Sequence, residues 1–280
     1  MPYLEIQLTN KLQRVVDVVA PVSMGRAPEC SVQLLSRAVS RRHAGFEPRD
    51  DGIHVHDLGS ANGVKVNDLK VAGTQRLNDN DIVLVGDISV RYRSSSRTVS
   101  AGDTIDLRFS TPPDELIEQA LGLPGVAFLL PMNPEKIARF RADILRRRIA
   151  KVELDEDARL RMQIAVNEAV DNGRLHGNQS EPSRALQVAF LEDEEEFVVS
   201  IRDEGQGFDY QRHLMNVDEI DSMDAIANRE RYGAGIGLRI ILDCVDRLQF
   251  QGNGSCVHLA KLKTGGGFFV IEDGGDGASA

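Results

Sequence analysis

From Tyr3 to about Arg93 apolar and polar residues alternate in short runs. YLEIQL, RVVDVV, SVQLL, HAGFEP, GIHVHDL, GVKVN and DIVLVGDISVRY read as strands, with Asp51-Gly52, Asn62-Gly63 and Asn78-Asp79 marking turns between them. Short strands punctuated this way over roughly 90 residues predict an all-β sandwich. The period then disappears. SSSRTVSAGDT and Pro112-Pro113 predict a solvated linker over 94–123, with a short helix over Asp114–Leu121. Thr98, Thr104 and Thr111 are its ordinary linker hydroxyls.

A second pattern begins with the buried strand VAFLLP. Asn133-Pro134 starts a helix over Pro134–Ala150 with Ile137, Phe140, Ile144 and Leu145 inward, and its Arg146-Arg147-Arg148 run reads as a solvated helix end. A helix over Ile164–Asn178, led in by Asp155 as a cap, buries a stripe of Ile164, Ala165, Ala169 and Val170. RALQVAFLE and FVVSIRD follow as strands joined by an acidic turn. A long connection from Gly207 to Gly233 leads to a helix over Ile236–Asp246, and RLQFQ and SCVHLAKLK close a hairpin around Gly252-Asn253-Gly254. These elements predict an α/β sandwich with a mostly antiparallel sheet. The expected division is 1–93 for the first domain, 94–123 for the linker, 124–264 for the second domain and 265–280 for a glycine-rich disordered tail.

Composition narrows the chemistry. The 280 residues are 41% hydrophobic and 27% charged, with no apolar run near the length of a membrane span and no signal peptide, so the expectation is a cytoplasmic protein without a membrane partner. The net charge of -10, 5% aromatics and absence of Trp argue against direct nucleic-acid binding. Cys30, Cys244 and Cys256 are far apart and form neither a disulfide framework nor a zinc knuckle.

In the first domain Gly25-Arg26, Ser40-Arg41-Arg42-His43 and Gly59-Ser60-Ala61-Asn62-Gly63 fall in loops or at strand ends. A phosphate needs a fork of charged donors and a hydroxyl, and Arg26, Ser40 and either Arg41 or Arg42 supply that set. The spacing of Gly-Arg, Ser-x-x-His and Asn-Gly resembles the forkhead-associated (FHA) domain. The resemblance implies that Arg26 and Ser40 grip the phosphate of a phosphothreonine-containing protein, Asn62 holds the peptide backbone, and His43 fixes the loop from within. His54 and His56 share a strand face but have no further ligand nearby, and read as part of an exposed strand.

In the second domain Glu168, Asn172 and His176 are spaced four apart, with Asp171 beside them, so a carboxylate, an amide and an imidazole share one helix wall. Asp203-Glu204-Gly205-Gln206-Gly207 directly follows a strand, and Gly233-Ala234-Gly235-Ile236-Gly237 opens a helix. Glycine permits close approach, and a helix start offers amides to phosphate. The three together resemble the GHKL ATPase superfamily, and within it the anti-sigma-factor serine kinases. The resemblance implies ATP and Mg2+ as cofactors. Asp203 would bond the adenine amino group, and Gly205 and Gly207 would let the base lie against the chain. Gly233, Gly235 and Gly237 would wrap the phosphates beneath a lid containing Arg229 and Arg231. Asn172 would ligate the metal and Glu168 would act as general base. Gly173 stands where the family usually carries alanine, which weakens the helix by about 1 kcal/mol, and Asp171 adds a carboxylate to the wall.

A sensor histidine kinase needs an accepting histidine before its ATP domain, and 94–123 contains none. Topoisomerase-like and chaperone-like relatives carry large transducing domains for which this length leaves no room. The expectation is therefore a stand-alone protein serine/threonine kinase that phosphorylates a serine on an antagonist protein. A sigma factor is a further implied partner, and a homodimer is common in kinases of this type. The competing reading is a non-catalytic adaptor in which ATP only shapes a partner-binding surface.

Overall fold

A computed structural model describes residues 2–94, 104–208, 236–251 and 253–263. The N-terminal half is a β-sandwich. One layer contains β1 (Tyr3–Gln7), β2 (Leu12–Asp17), β7 (Val64–Val66), β8 (Leu69–Lys70), β10 (Ile82–Val85) and β11 (Ile88–Arg93) in the order β2-β1-β11-β10-β7-β8. The other contains β3 (Val22–Gly25), β4 (Val32–Gln33), β5 (Ala44–Arg49), β6 (Gly52–Asp57) and β9 (Thr74–Arg76) in the order β4-β3-β5-β6-β9. Alternation sets which side chains meet: Leu4, Ile6, Val83, Val85 and Val90 from the first layer bury against Met24, Phe46 and Val55 from the second. His54 differs from the expected exposed strand. It is buried, with Asp51 3.6 Å from its Nε2.

The C-terminal half layers helices on one face of a mixed, mostly antiparallel sheet. Its strands are β12 (Thr104–Asp106), β13 (Gly125–Pro131), β14 (Ala185–Glu192), β15 (Glu196–Arg202), β16 (Arg247–Gln251) and β17 (Cys256–Leu262), ordered β12-β13-β14-β15-β17-β16. Its helices are α1 (Asp114–Leu121), α2 (Pro134–Phe140), α3 (Arg146–Ala150), α4 (Glu156–Asn172) and α5 (Ile236–Cys244). A single π-helical turn, Arg141–Leu145, joins α2 to α3 without a break, and another, Gly173–Gly177, ends α4. Asp155 caps α4, its Oδ1 accepting the Ala158 amide at 2.7 Å. Phe128, Phe140, Phe190 and Phe197 form the centre of this core, with ring centroids 5.8–6.3 Å apart.

Three further features differ from the sequence pattern. Residues 104–123, expected as linker, supply β12, which pairs in parallel with β13, and α1, whose Ile117, Ala120 and Leu121 are core residues. Ser/Thr/Pro-rich composition masks three apolar positions that only the sheet edge and the helix layer give a partner. Ile164, expected in the buried stripe of α4, is 40% exposed, because Met162, Ala165, Val166, Ala169 and Val170 define the inward arc and Ile164 stands outside it at the 100° per residue of a helix.

Arg148, expected in solvent, is only 2% exposed. Its Nη2 donates to Glu192 Oε2 at 2.6 Å and its guanidinium lies 5.2 Å from the Phe197 ring centroid. Burial alone would raise the Glu192 carboxyl, but hydrogen bonds from Lys263 and Arg148 outweigh it and hold that carboxyl below the ordinary range. Arg148→Met, which leaves the partly buried Glu192 carboxylate with Lys263 alone, is expected to cost about 2 kcal/mol, read as a lower urea midpoint at unchanged slope.

The two halves share one sheet. β2 of the sandwich pairs in parallel with β16, so the first layer and the second half's strands make a continuous twelve-stranded sheet. Among the described residues no helix is long and apolar enough to cross a membrane.

Candidate functional sites

In the sandwich, β3 ends on Gly25, whose added Cβ would run into the Arg41 carbonyl and lie 2.9 Å from Cys30 Sγ, so the chain can cross here only as glycine. The crossing is tied down by backbone bonds: Arg26 N to Ser40 O and Ala27 N to Arg41 O, both 2.9 Å. His43 is fully buried. Its Nδ1 accepts the Ser40 amide at 3.0 Å, so Nε2 carries the ring proton and donates to Gly63 O at 3.2 Å. This is the internal brace expected of it. Ser40 Oγ accepts the Ala61 amide at 3.0 Å, and Asn62 Nδ2 donates to Ala38 O at 3.3 Å.

The bracing joins the loops carrying Arg26, Ser40, Arg41 and Asn62. Ser40, Arg41 and Arg42 line an open groove of about 580 Å3 together with Ser23, Ala27 and Cys30. Arg26 and Asn62 are exposed and bond the neighbouring 38–39 carbonyls, Arg26 Nε reaching Val39 O at 3.4 Å. The Asp57 carboxylate accepts the Gly59 and Ser60 amides at 2.9 and 2.7 Å and shapes the loop before Asn62, a role other than metal binding beside His54 and His56. Only the Asx-turn spacing Asp-x-Gly-Ser hinted at it.

In the second half a largely apolar slot of about 230 Å3 opens between α4, α5 and the ends of β15, β16 and β17. Its apolar lining includes Ile201, Leu238, Ile241, Phe250 and Val257, and its polar groups include Asn172, His176 and Asp203. Asp203 N donates to Ser255 O at 3.0 Å, and its Oδ1 accepts the Gly205 amide at 2.8 Å. Burial pushes the Asp203 carboxyl above the usual carboxylate range, against the downward pull of the Gly205 amide. Gly207 has φ +75° and abuts Asn253, while an added Cβ on Gly205 would strike the Gly177 carbonyl.

Glu168 and Asn172 come together at the start of α5. A Cβ built on Gly237 would collide with Glu168 Oε1 and lie 3.2 Å from Asn172 Nδ2, so carboxylate, amide and helix start occupy one point. Asp171 is drawn elsewhere: Arg141 Nη2 donates to it at 2.9 Å, and it does not line the slot. Gly173, read as a loosened helix position, is buried and opens the π turn, and an added Cβ would approach Leu186 Cδ1 to 2.6 Å. Gly233 and Gly235, and with them Arg229 and Arg231, lie outside the described residues.

Sequence reasoning left Gly177 and Asn178 unassigned. Gly177 leaves the space that the Asp203 carboxylate fills. Asn178 is buried, with Oδ1 accepting Glu204 N at 2.8 Å and Nδ2 donating to Ala185 O at 2.9 Å, and so positions the Asp203 turn. A Gly-Asn pair at a helix end reads locally as a stop signal, which hides this second role.

Residues 22–86 match the family model of the FHA domain, and residues 130–261 match that of the histidine kinase-like ATPase domain. Anti-sigma F factors from Bacillus cytotoxicus and Oceanobacillus iheyensis are each 26% identical over 116 residues, covering 40% of this chain and 75% of the relative. Among solved structures, an FHA domain studied for phosphothreonine-dependent interactions is 26% identical, covering 32% of this chain and 95% of that one, with a TM-score of 0.30. The FHA domain of the CT664 protein from Chlamydia trachomatis is 24% identical, covering 34% and 98%, with a TM-score of 0.31.

Proposed function

We propose that this chain, in which an FHA domain precedes a histidine kinase-like ATPase domain, is an ATP-dependent protein serine/threonine kinase of the anti-sigma-factor type. Its substrate is a serine on an antagonist protein, and a sigma factor is the further partner this reading implies. The observation that carries the proposal is the convergence of Glu168, Asn172 and Gly237 beside a slot that Asp203 also lines.

The residues suit a bound nucleotide. A half-buried carboxylate among apolar walls is the group for an exocyclic amino donor, and Gly177, Gly205 and Gly207 let the segments around it pack close enough to fix that carboxylate in place. Asn172 would be the side chain offered to Mg2+, with phosphate and water supplying the other oxygen ligands that a hard cation of this kind takes. When bound, ATP with Mg2+ supplies the transferable phosphoryl group. Asp203 would accept a hydrogen bond from the adenine amino group, the start of α5 would offer amides to phosphate, and Asn172 would hold the metal. Glu168 accepts the proton of the attacking serine hydroxyl.

In the FHA domain, Arg26, Ser40 and Arg41 form charge-assisted bonds to the phosphate of a phosphothreonine, and Asn62 holds the peptide backbone. Arg26 is exposed and outside the sandwich core, so Arg26→Ala is expected to leave the fold intact and weaken a phosphothreonine peptide roughly 10- to 100-fold, measured by fluorescence anisotropy beside the unphosphorylated peptide.

The kinase reading is tested by incubating the purified chain with γ-labelled ATP, Mg2+ and candidate antagonist proteins encoded near it. Labelled phosphoserine on an acceptor supports it. ATP binding without label on any acceptor moves the assignment to a nucleotide-gated adaptor.

A further inference from the structure

β2 (Leu12–Asp17) precedes both matched segments, 22–86 and 130–261, while its partner β16 lies within the second. Its register is Leu12 opposite Leu248, Gln13 opposite Gln249, Arg14 opposite Phe250 and Val15 opposite Gln251. Leu248 N donates to Lys11 O at 2.8 Å, and Lys11 Nζ reaches Leu242 O on α5 at 3.2 Å. Leu12 is 2% exposed and belongs to the core of the ATPase half, while Leu8 packs against both cores. The β1–β2 hairpin thus gives the second domain a core side chain as well as a neighbouring strand.

β16 is also a wall of the slot. Phe250 lines it and holds Phe208 edge-on at a centroid distance of 5.8 Å. The turn after β16 brings in Gly254 and Ser255, and through Ser255 O it holds the amide of Asp203. With β17 on one edge, β16 has its other edge covered by β2. A strand stripped of that neighbour exposes unpaired amides and carbonyls and loses its fixed position.

We infer that the β2–β16 seam makes the N-terminal hairpin a positioning element for the nucleotide slot, with Leu12 as its anchoring side chain, so that nucleotide binding and the seating of the FHA half are thermodynamically linked. This rests on reading the slot as a nucleotide site. Linkage is reciprocal: a ligand that favours the ordered slot also favours the seated hairpin, and loosening the hairpin weakens the ligand.

The experiment is hydrogen exchange on the full chain with and without Mg2+ and ADP, followed by ADP titration of Leu12→Ala. Nucleotide is expected to slow exchange in β16 and also in β2, with β5 and β6 unchanged. Leu12→Ala is expected to weaken ADP roughly 5- to 150-fold, while the unaltered exchange of β5 and β6 shows that the sandwich remains folded. ADP that binds the parent chain, protects only the ATPase half and binds Leu12→Ala equally well overturns the seam and leaves the slot standing. Failure of the parent chain to bind ADP or ATP overturns the slot and the linkage together.

Discussion

Glu168→Gln is expected to lower phosphoryl transfer by about 10²–10⁴-fold, the usual worth of a positioned general base, while nucleotide affinity stays within about twofold of the parent, as expected when only a transition-state interaction is lost. The substitution conserves shape at a crowded point, since Glu168 shares the start of α5 with Asn172 and Gly237 and a larger rearrangement there would disturb the slot. What changes is proton acceptance, because a carboxamide cannot take the serine proton. Single-turnover transfer beside equilibrium nucleotide binding separates the two quantities. If transfer is unchanged, Glu168 is not the base. If the parent chain binds nucleotide without transferring phosphate, the adaptor reading takes its place.

Asp203→Asn is expected to act in opposite directions on binding and stability. Exchanging a charged acceptor for a neutral one at the adenine amino group should weaken ATP roughly 10- to 150-fold. The nucleotide-free protein should meanwhile become more resistant to unfolding at neutral pH. The sign follows from the raised carboxyl. Below the ordinary value of 3.8 the acid is protonated in both folded and unfolded chains and burial costs nothing extra. As pH rises from there through the higher folded value, the unfolded chain ionises first, and the cost of holding a half-buried charge accrues to the fold. Above the folded value that cost is fully present, and asparagine removes it. Asparagine still accepts the Gly205 amide through its oxygen, so the turn keeps its bond. Thermal unfolding of both proteins at pH 3 and pH 7 measures this: the variant's advantage should appear at pH 7 and vanish at pH 3. An equal or lower midpoint for the variant at pH 7 would show that the carboxylate is not a burden to the fold, and with it the trade of stability for a poised acceptor would be lost.

Much of the site was legible from local spacing. Glu168 and Asn172 face one way because four residues make slightly more than one helical turn, and Gly205 and Gly207 follow a strand end where a ligand must approach backbone. The FHA loops were legible for the same reason: Gly25, Ser40, His43 and Asn62 are each required by a local turn or brace, and His43 does hold its loop from inside. Asp171 was misleading. Its spacing places it beside the wall, but Arg141, thirty positions earlier in the chain and one helix away, draws it into an ion pair. Arg148 misled likewise, because a basic run at a helix end looks solvated until Glu192 and Phe197 are brought over it.

Periodicities of two and 3.6 residues, together with short motifs, are enough to define two domains of different class, most of the strands and helices that build them, and the residue types of both candidate sites. Long-range packing is what brings residues 104–123 into the second domain, makes Gly177 leave room for Asp203, and sets β2 beside β16 to complete the sheet. Those outcomes depend on backbone groups and side-chain volumes meeting across long separations. A strand edge pairs through amides and carbonyls that every residue but proline carries, so the choice of neighbour leaves almost no trace in the order of the amino acids.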